Sequence, residues 1–364
     1  MTSRREVRSI YLEWAKLHSK AKYGLAASDV ARYPLPEMHA RMEELSLSPP
    51  GGYGYKPLLE RLGAKAGVDV NCVVHAQGTS MANHLAMAAL IEAGDEVLIE
   101  EPTYEAILAV AQYLGASIHR FPREMEAGFQ VDPREVERRI SPRTRLIVIT
   151  NLHNPSGVRT PDSALQMVGE IAHSVGANVL VDEVYLEACF DSPWRSAVHL
   201  GPNFIVTDSL TKAYGLTALR CGWVLTRTAA LAERMWRLND LFGVVSPFPA
   251  DLLAVMALDQ LPQIRARAKG LLDTNRATLK AFIDSRRDLI TIWPEAGAIV
   301  FPQLTTGHAD AFCQLLAEKY ETSVVPGRFF DAPGHFRIGV GGETEMVREG
   351  LRRIGAALDE FGRM

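Results

Sequence analysis

Short apolar runs recur along the chain, and each gives way to polar or turn-forming residues. Val97-Leu98-Ile99, Leu146-Ile147-Val148-Ile149, Val179-Leu180-Val181 and Phe204-Ile205-Val206 are too short for helices and rich in β-branched side chains, so they read as buried strands. Val73-Val74 reads as a further strand that runs into a turn at Gly78. Between these runs, Met81 to Glu92 and Tyr104 to Leu114 carry helical patterns. Strands alternating with helices predict an α/β fold with a mostly parallel sheet, whose ligand lies beyond the carboxyl ends of the strands.

The flanks read differently. Residues 5 to 20 suggest an amphipathic helix with Ile10, Tyr11, Trp14 and Leu17 as its packing stripe. A small-residue segment, Lys22 to Ser28, follows, of a kind that could lie over a pocket. Proline and glycine break the chain at 49–55 and again at 243–249, and a helix is expected to begin near Leu58. Beyond the second break, residues 250 to 285 are helical in pattern, 294–301 and 335–340 are strand-like, and an amphipathic helix spans 343 to 361. A chain of 364 residues is long for one core. Two units are expected: 45–245, and 1–44 together with 246–364.

Composition narrows the partners. A net charge of −4 gives no reason to expect nucleic acid or an anionic membrane. No apolar run approaches the roughly 20 residues of a membrane span. Cys72, Cys189, Cys221 and Cys313 show neither metal-ligand spacing nor a disulfide framework, so no metal site and a reducing cytoplasm are expected.

The candidate chemistry gathers at the ends of the apolar runs. Phe204-Ile205-Val206 leads to Ser209 and then Lys212. A lysine there is desolvated, which lowers its pKa and makes the amine a nucleophile able to condense with an aldehyde. Most lone lysines in loops are simply solvated. The company of this one decides otherwise, because Arg220 offers a permanent cation able to take a phosphate through two hydrogen bonds. Gly78, Thr79 and Ser80 stand where a strand gives way to a helix, and unpaired backbone N–H groups favour an anion there. A plain helix cap is the commoner use of such residues. The glycines match neither the dinucleotide fingerprint nor the P-loop, which argues against nicotinamide cofactors and ATP. Asp182 closes the run at 179–181, and a buried acid there needs a partner.

The stretch Ser209-x-x-Lys212-x-x-Gly215-x-x-x-x-Arg220-x-Gly222 resembles the lysine motif of the class I/II aminotransferases, pyridoxal-phosphate enzymes of fold type I. Asn154-Pro155-Ser156-Gly157 resembles a second motif of that family, though Leu152 stands where many relatives have proline. The resemblance runs from about Gly51 to Arg337. It implies a large α/β domain, a smaller α+β domain, and pyridoxal 5′-phosphate joined as a Schiff base to Lys212. Gly78, Thr79, Ser80, Ser209 and Arg220 would surround the phosphate, and Tyr104 would lie on the ring. Asp182 would pair with the ring nitrogen, while Asn154 and Tyr185 share the phenolic oxygen. Arg337 would grip the substrate carboxylate, with Asn154 and the Gly24 segment beside it. A homodimer is implied, with Tyr53 or Tyr55, and also Ser246, reaching the neighbouring subunit's phosphate site. His153 and Glu183 are read as structural neighbours.

The implied reaction moves an amino group between an L-amino acid and a 2-keto acid. Two other readings compete: a lyase, decarboxylase, cyclase or oxidase on the same scaffold, or a catalytically silent binding protein. Fold likeness alone does not separate them. No second arginine for a dicarboxylate substrate is identifiable, so the side-chain class is open.

Overall fold

The four apolar runs form the middle of a seven-stranded sheet in the computed structural model, which describes residues 7–363. Across the sheet the order is Val73–Gln77, Cys221–Leu225, Phe204–Ser209, Asn178–Asp182, Thr144–Thr150, Glu96–Glu101 and Ser117–Pro122. Cys221–Leu225 runs antiparallel to both of its neighbours, and the remaining pairs are parallel. The expected α/β sheet is present. Two of its strands, Cys221–Leu225 and Ser117–Pro122, were not singled out by the apolar pattern.

Both faces of the sheet are buried, which is why its central strands are apolar without alternation. On one face Leu85, Ala86 and Met87 of the helix Gly78–Leu90 pack on Val97, Ile99 and Leu146. On the other, Leu58, Leu62, Leu165 and Val168 cover Ile147, Ile149, Val179 and Val181. A separate core joins Leu279, Phe312, Leu316, Phe336, Ile338, Leu351 and Ile354 from the C-terminal part of the chain, and Leu25 enters it from the N-terminal part. Among the described residues no helix is long and apolar enough to cross a membrane.

Several boundaries move. The first helix spans Ile10–Leu17, and the expected positions 5 and 6 lie outside the described residues. Its stripe is narrower than expected: Ile10 and Leu17 are exposed, whereas Tyr11 is buried. Tyr11 faces inward because it packs on Tyr104, Phe329 and Phe330. The helix expected from Met81 begins at Gly78, so Gly78, Thr79 and Ser80 form its first turn. Residues 250 to 285 divide into the helices Phe248–Asp259 and Leu261–Asp284, with Gln260 between them and proline at the start of the second. Ala254, Ala257, Ile264, Ala268 and Leu272 pack into the core of the large sheet, and Leu279 and Ile283 into the second core.

Candidate active site

The strand register sets Thr150, Asp182 and Thr207 side by side at the carboxyl edge of the sheet. A cavity of ≈ 560 Å³ opens beyond this edge, and Lys212, Asp182, Arg337, Tyr104, Asn154 and Tyr185 all line it. Thr79, Ser80, Ser209 and Arg220 line it too. Most of the residues selected from sequence therefore converge on one space, although they derive from six separate stretches of chain.

Asp182 is buried at the floor of this space. Asn83 donates its amide to Asp182 Oδ2 at 2.8 Å and accepts from Thr207 Oγ1 at 2.6 Å, and Val184 N–H reaches Asp182 Oδ1 at 3.1 Å. Burial outweighs these bonds and pushes the carboxyl up to about 6. A cation placed against it would restore the ionised form.

The first turn of the helix Gly78–Leu90 has no side-chain cap, and Thr79 Oγ1 is buried without a hydrogen-bond partner. Arg220 lies beside this turn, its Nη2 donating to Gln77 O at 3.2 Å while Gly78 N–H donates to Arg220 O at 2.8 Å. The glycines are required by this close approach. Gly78 has φ +75°, and a Cβ there would sit 2.0 Å from Arg220 Nη2. A Cβ on Gly222 would sit 2.4 Å from the carbonyl carbon of Gly78. Free N–H groups, an orphaned hydroxyl and a guanidinium in one cradle suit an anion such as phosphate.

Arg337 is 1 % exposed, in the strand Phe336–Gly339. Nη1 donates to Asn154 Oδ1 at 2.8 Å, and Nη2 to Tyr11 Oη at 3.0 Å and Ala26 O at 3.2 Å. Its Nε is buried without a partner. The turn that carries Asn154 is held from below. Asn154 N–H donates to Thr150 Oγ1 at 2.9 Å, and Thr150 Oγ1 donates to Glu100, which is ion-paired with buried Arg123 at 2.7 Å.

Lys212 behaves differently from expectation. Burial lowers its amine, but Tyr185, Asp29 and Tyr11 around it outweigh burial, and the net direction is upward. The lowering expected from strand-end desolvation is thus overturned by oxygen groups from distant stretches. One neighbour is Ser28, whose Oγ accepts from Lys212 Nζ at 3.1 Å and from Tyr185 Oη at 2.8 Å.

Some expected positions fall elsewhere. Gly24 does not line the cavity; it sits in the strand Tyr23–Gly24, paired in parallel with Thr322–Ser323. Ser28 enters the cavity in its place, because the segment turns inward after Leu25. Neither Tyr53 nor Tyr55 lines the cavity: Tyr53 is exposed and donates to Asp240 at 3.1 Å, and Tyr55 packs edge-on against Phe248. Ser246 donates to Asp251. His153 is buried between Ser156 Oγ and Pro102 O, at 2.6 and 2.9 Å. Glu183 accepts from Ala197 N–H at 2.7 Å, and burial pushes it up to about 7. Among the lining residues not selected from the sequence are Tyr11, Ser28 and Asn83. Tyr11 carried a signal as an aromatic in an amphipathic stretch, and Ser28 as the end of the small-residue segment read as lying over a pocket.

An α/β sheet with a lysine, an acid and an arginine converging beyond its strand ends, beside a phosphate-type cradle, defines a fold type I pyridoxal-phosphate enzyme. The sequence profile described as aminotransferase class I and II matches residues 20–354, and the chain belongs to that family. It is 31% identical over 302 residues to the arginine–pyruvate transaminase of Pseudomonas aeruginosa, covering 81% of this chain and 76% of that protein. It is 28% identical to the capreomycidine synthase of Streptomyces vinaceus, over 80% of this chain and 75% of that one. A pyridoxal-phosphate-dependent aminotransferase from Streptococcus suis superposes with a TM-score of 0.91 at 27% identity, covering 97% and 98% of the two chains. The protein is a pyridoxal-phosphate-dependent aminotransferase.

Proposed function

We propose that this cavity transfers an amino group between an L-amino acid and a 2-keto acid with its residues in the following roles. One observation carries the reading: Lys212, Asp182 and Arg337, an amine, a buried acid and a buried guanidinium, line the same cavity. Gly78, Thr79, Ser80, Ser209 and Arg220 hold the cofactor phosphate, an anion that would supply the partner Thr79 Oγ1 lacks. Asp182 would keep the ring nitrogen protonated, and Asn154 and Tyr185 would hold the phenolic oxygen. Tyr104 would lie against the ring, and Lys212 would supply the amine for the aldehyde. Pyridoxal phosphate, when bound, supplies an electron-withdrawing ring that stabilises the electron pair left by a broken bond at the substrate α-carbon.

The chain's own groups do the rest. Arg337 binds the substrate carboxylate, and its orphaned Nε is a donor still to be satisfied. Tyr11 and Tyr104, edge to face with centroids 5.5 Å apart, wall the cavity and exclude water. Lys212 Nζ, once free, takes the α-proton as general base and later returns a proton as general acid.

The assembly proposed is a homodimer in the cytoplasm, acting on free amino and keto acids. Leu241, Phe242, Val244 and Val245 form an exposed apolar run beside exposed Tyr53, a face suited to a second copy. Tyr53, at this face, is the better placed of the two tyrosines to reach the neighbouring subunit. The four cysteines are free and buried, in keeping with a reducing compartment. The two units proposed, 45–245 and 1–44 with 246–364, meet along the helix Leu261–Asp284.

The similarity to a capreomycidine synthase, which is not named as a transaminase, favours one alternative: other pyridoxal-phosphate chemistry in the same cavity. A single experiment separates the two. The protein with pyridoxal phosphate is mixed with one amino acid at a time and followed by absorbance and product analysis. Bleaching of the visible band that reverses on adding a keto acid, with keto acid released, supports transamination. Release of carbon dioxide, or of a cyclised or eliminated product, supports the alternative. Absence of any band overturns both.

A further inference from the structure

We infer that Ser28 is a working residue of this reaction: its hydroxyl receives the Lys212 amine whenever that amine is off the cofactor and keeps it beside the Tyr185 phenol. The inference rests on the role proposed for Lys212.

Ser28 is 5 % exposed, and its Oγ lies 3.1 Å from Lys212 Nζ and 2.8 Å from Tyr185 Oη. Both groups donate, so the two lone pairs of one oxygen hold the two groups together. A serine in a flexible segment could make such contacts by chance. This segment is not free to move. Val30 N–H donates to Lys212 O at 2.9 Å and Tyr33 N–H to Gly215 O at 3.1 Å, so the backbone is tied to the lysine loop itself. Asp29 accepts from Thr217 Oγ1 at 2.8 Å. On the other side, Gly339 N–H donates to Leu25 O at 2.7 Å, and Arg337 Nη2 reaches Ala26 O at 3.2 Å. The fit is close enough that a Cβ on Gly339 would lie 1.7 Å from Ala27 O. Ser28 is therefore held between the lysine loop and the carboxylate-binding strand.

The work of Ser28 follows from the length of the lysine side chain. A freed lysine amine has four rotatable bonds and would spend most of its time elsewhere unless something received it. Ser28 supplies an acceptor at a fixed point. Other charged or titratable groups face Lys212 from each surrounding element: Tyr185 beyond the strand Asn178–Asp182, Asp182 itself, Asp29 beside Ser28, Tyr11 on the first helix and Arg337 on its strand. Tyr185, Asp29 and Tyr11 favour the ammonium and Arg337 opposes it. Ser28, as an acceptor, adds to the side that favours the ammonium.

The test uses the full chain as wild type, Ser28→Ala, Ser28→Thr and Ser28→Val. The first readout is the rate at which cofactor-free protein captures pyridoxal phosphate, followed by growth of the visible band across pH. Loss of the acceptor in Ser28→Ala moves the midpoint of this profile down by about one pH unit. The second readout is turnover: kcat falls about tenfold while KM for the amino acid is unchanged, since Arg337 is untouched. Ser28→Thr restores both, and Ser28→Val, of the same shape without the hydroxyl, restores neither. This last pair carries the test should Ser28→Ala alter the melting temperature. A capture profile and kcat like wild type in Ser28→Ala, or equal behaviour of the threonine and valine variants, overturns the inference and leaves the cofactor site standing. No band in any protein, wild type included, overturns the role of Lys212 and this inference with it.

Discussion

Arg337 and Asn154 meet at 2.8 Å across half the length of the chain, guanidinium Nη1 to amide Oδ1. The contact fixes which way the amide faces. With Oδ1 committed to Arg337, the NH2 end of Asn154 is the end left to donate to an oxygen in the cavity. Arg337 thus serves a substrate carboxylate and also orients the amide proposed to hold the cofactor's phenolic oxygen.

Arg337→Lys is expected to raise KM for the amino acid and for the keto acid about 100-fold, because a single ammonium replaces a bidentate fork. The visible band forms, but its pH midpoint shifts as Asn154 is released. Steady-state kinetics and a spectral pH titration check both parts.

Asp182 gives a pH dependence with a definite sign. Its carboxyl, pushed up to about 6 by burial, binds a proton in the folded chain at pH values where the unfolded chain has lost it. Between the ordinary aspartate value near 4 and about 6, the cofactor-free protein therefore loses stability from this group as pH rises. Asp182→Asn removes that loss. The cofactor-free variant is expected to be more stable than wild type at pH 8 by about 3 kcal/mol, and to be without turnover. Chemical denaturation at pH 4.5 and pH 8 measures the difference, which is small at the lower pH.

Gly78→Ala places a methyl group against Arg220 at a positive φ. The guanidinium must move, and the anion cradle opens with it. Affinity for pyridoxal phosphate is expected to fall at least tenfold, and affinity for pyridoxal, which lacks the phosphate, to change little. Fluorescence titration with the two compounds distinguishes a local loss in the cradle from general damage.

Charges on the exposed run at 241–245 are expected to separate the subunits. Val244→Asp combined with Val245→Asp yields a monomer by light scattering, because two carboxylates cannot be desolvated against an apolar face without partners. Addition of pyridoxal phosphate is expected to recover some dimer.

Much of this was legible in the sequence, and the reasons are physical. Leu146–Ile149, Val179–Val181 and Phe204–Val206 announce strands because a sheet covered on both faces needs unbroken apolar runs. Asp182 announces itself as the acid that stops its run, Lys212 by its place a few residues beyond a run and the motif around it, and Asn154 by the Asn154-Pro155-Ser156-Gly157 motif. Ser117–Pro122 escaped because it is an edge strand with polar residues among its apolar ones. Cys221–Leu225 escaped because it follows the lysine motif directly and contains a glycine. Ser28, Tyr11 and Asn83 gain their meaning only from partners far along the chain, at Lys212, Arg337 and Asp182. The direction of the Lys212 shift belongs to the same class. Local sequence reveals that the amine is desolvated, but not that Tyr185, Asp29 and Tyr11 surround it.

The segment around Ser28 also sets a constraint on how the chain is made. Tyr23 and Gly24 pair with Thr322 and Ser323, and the backbone of 25–31 bonds to residues 339 and 341. On the ribosome the large sheet can assemble as its strands emerge, but this early segment has some partners that lie far downstream. Its bonds to Lys212 and Gly215 can form once the lysine loop is made, but its pairing with Thr322–Ser323 and its bonds to Gly339 and Gly341 wait for residues made much later. A product that stopped short of these residues would hold its reactive amine against Ser28 yet lack Arg337, the group that selects what the amine meets.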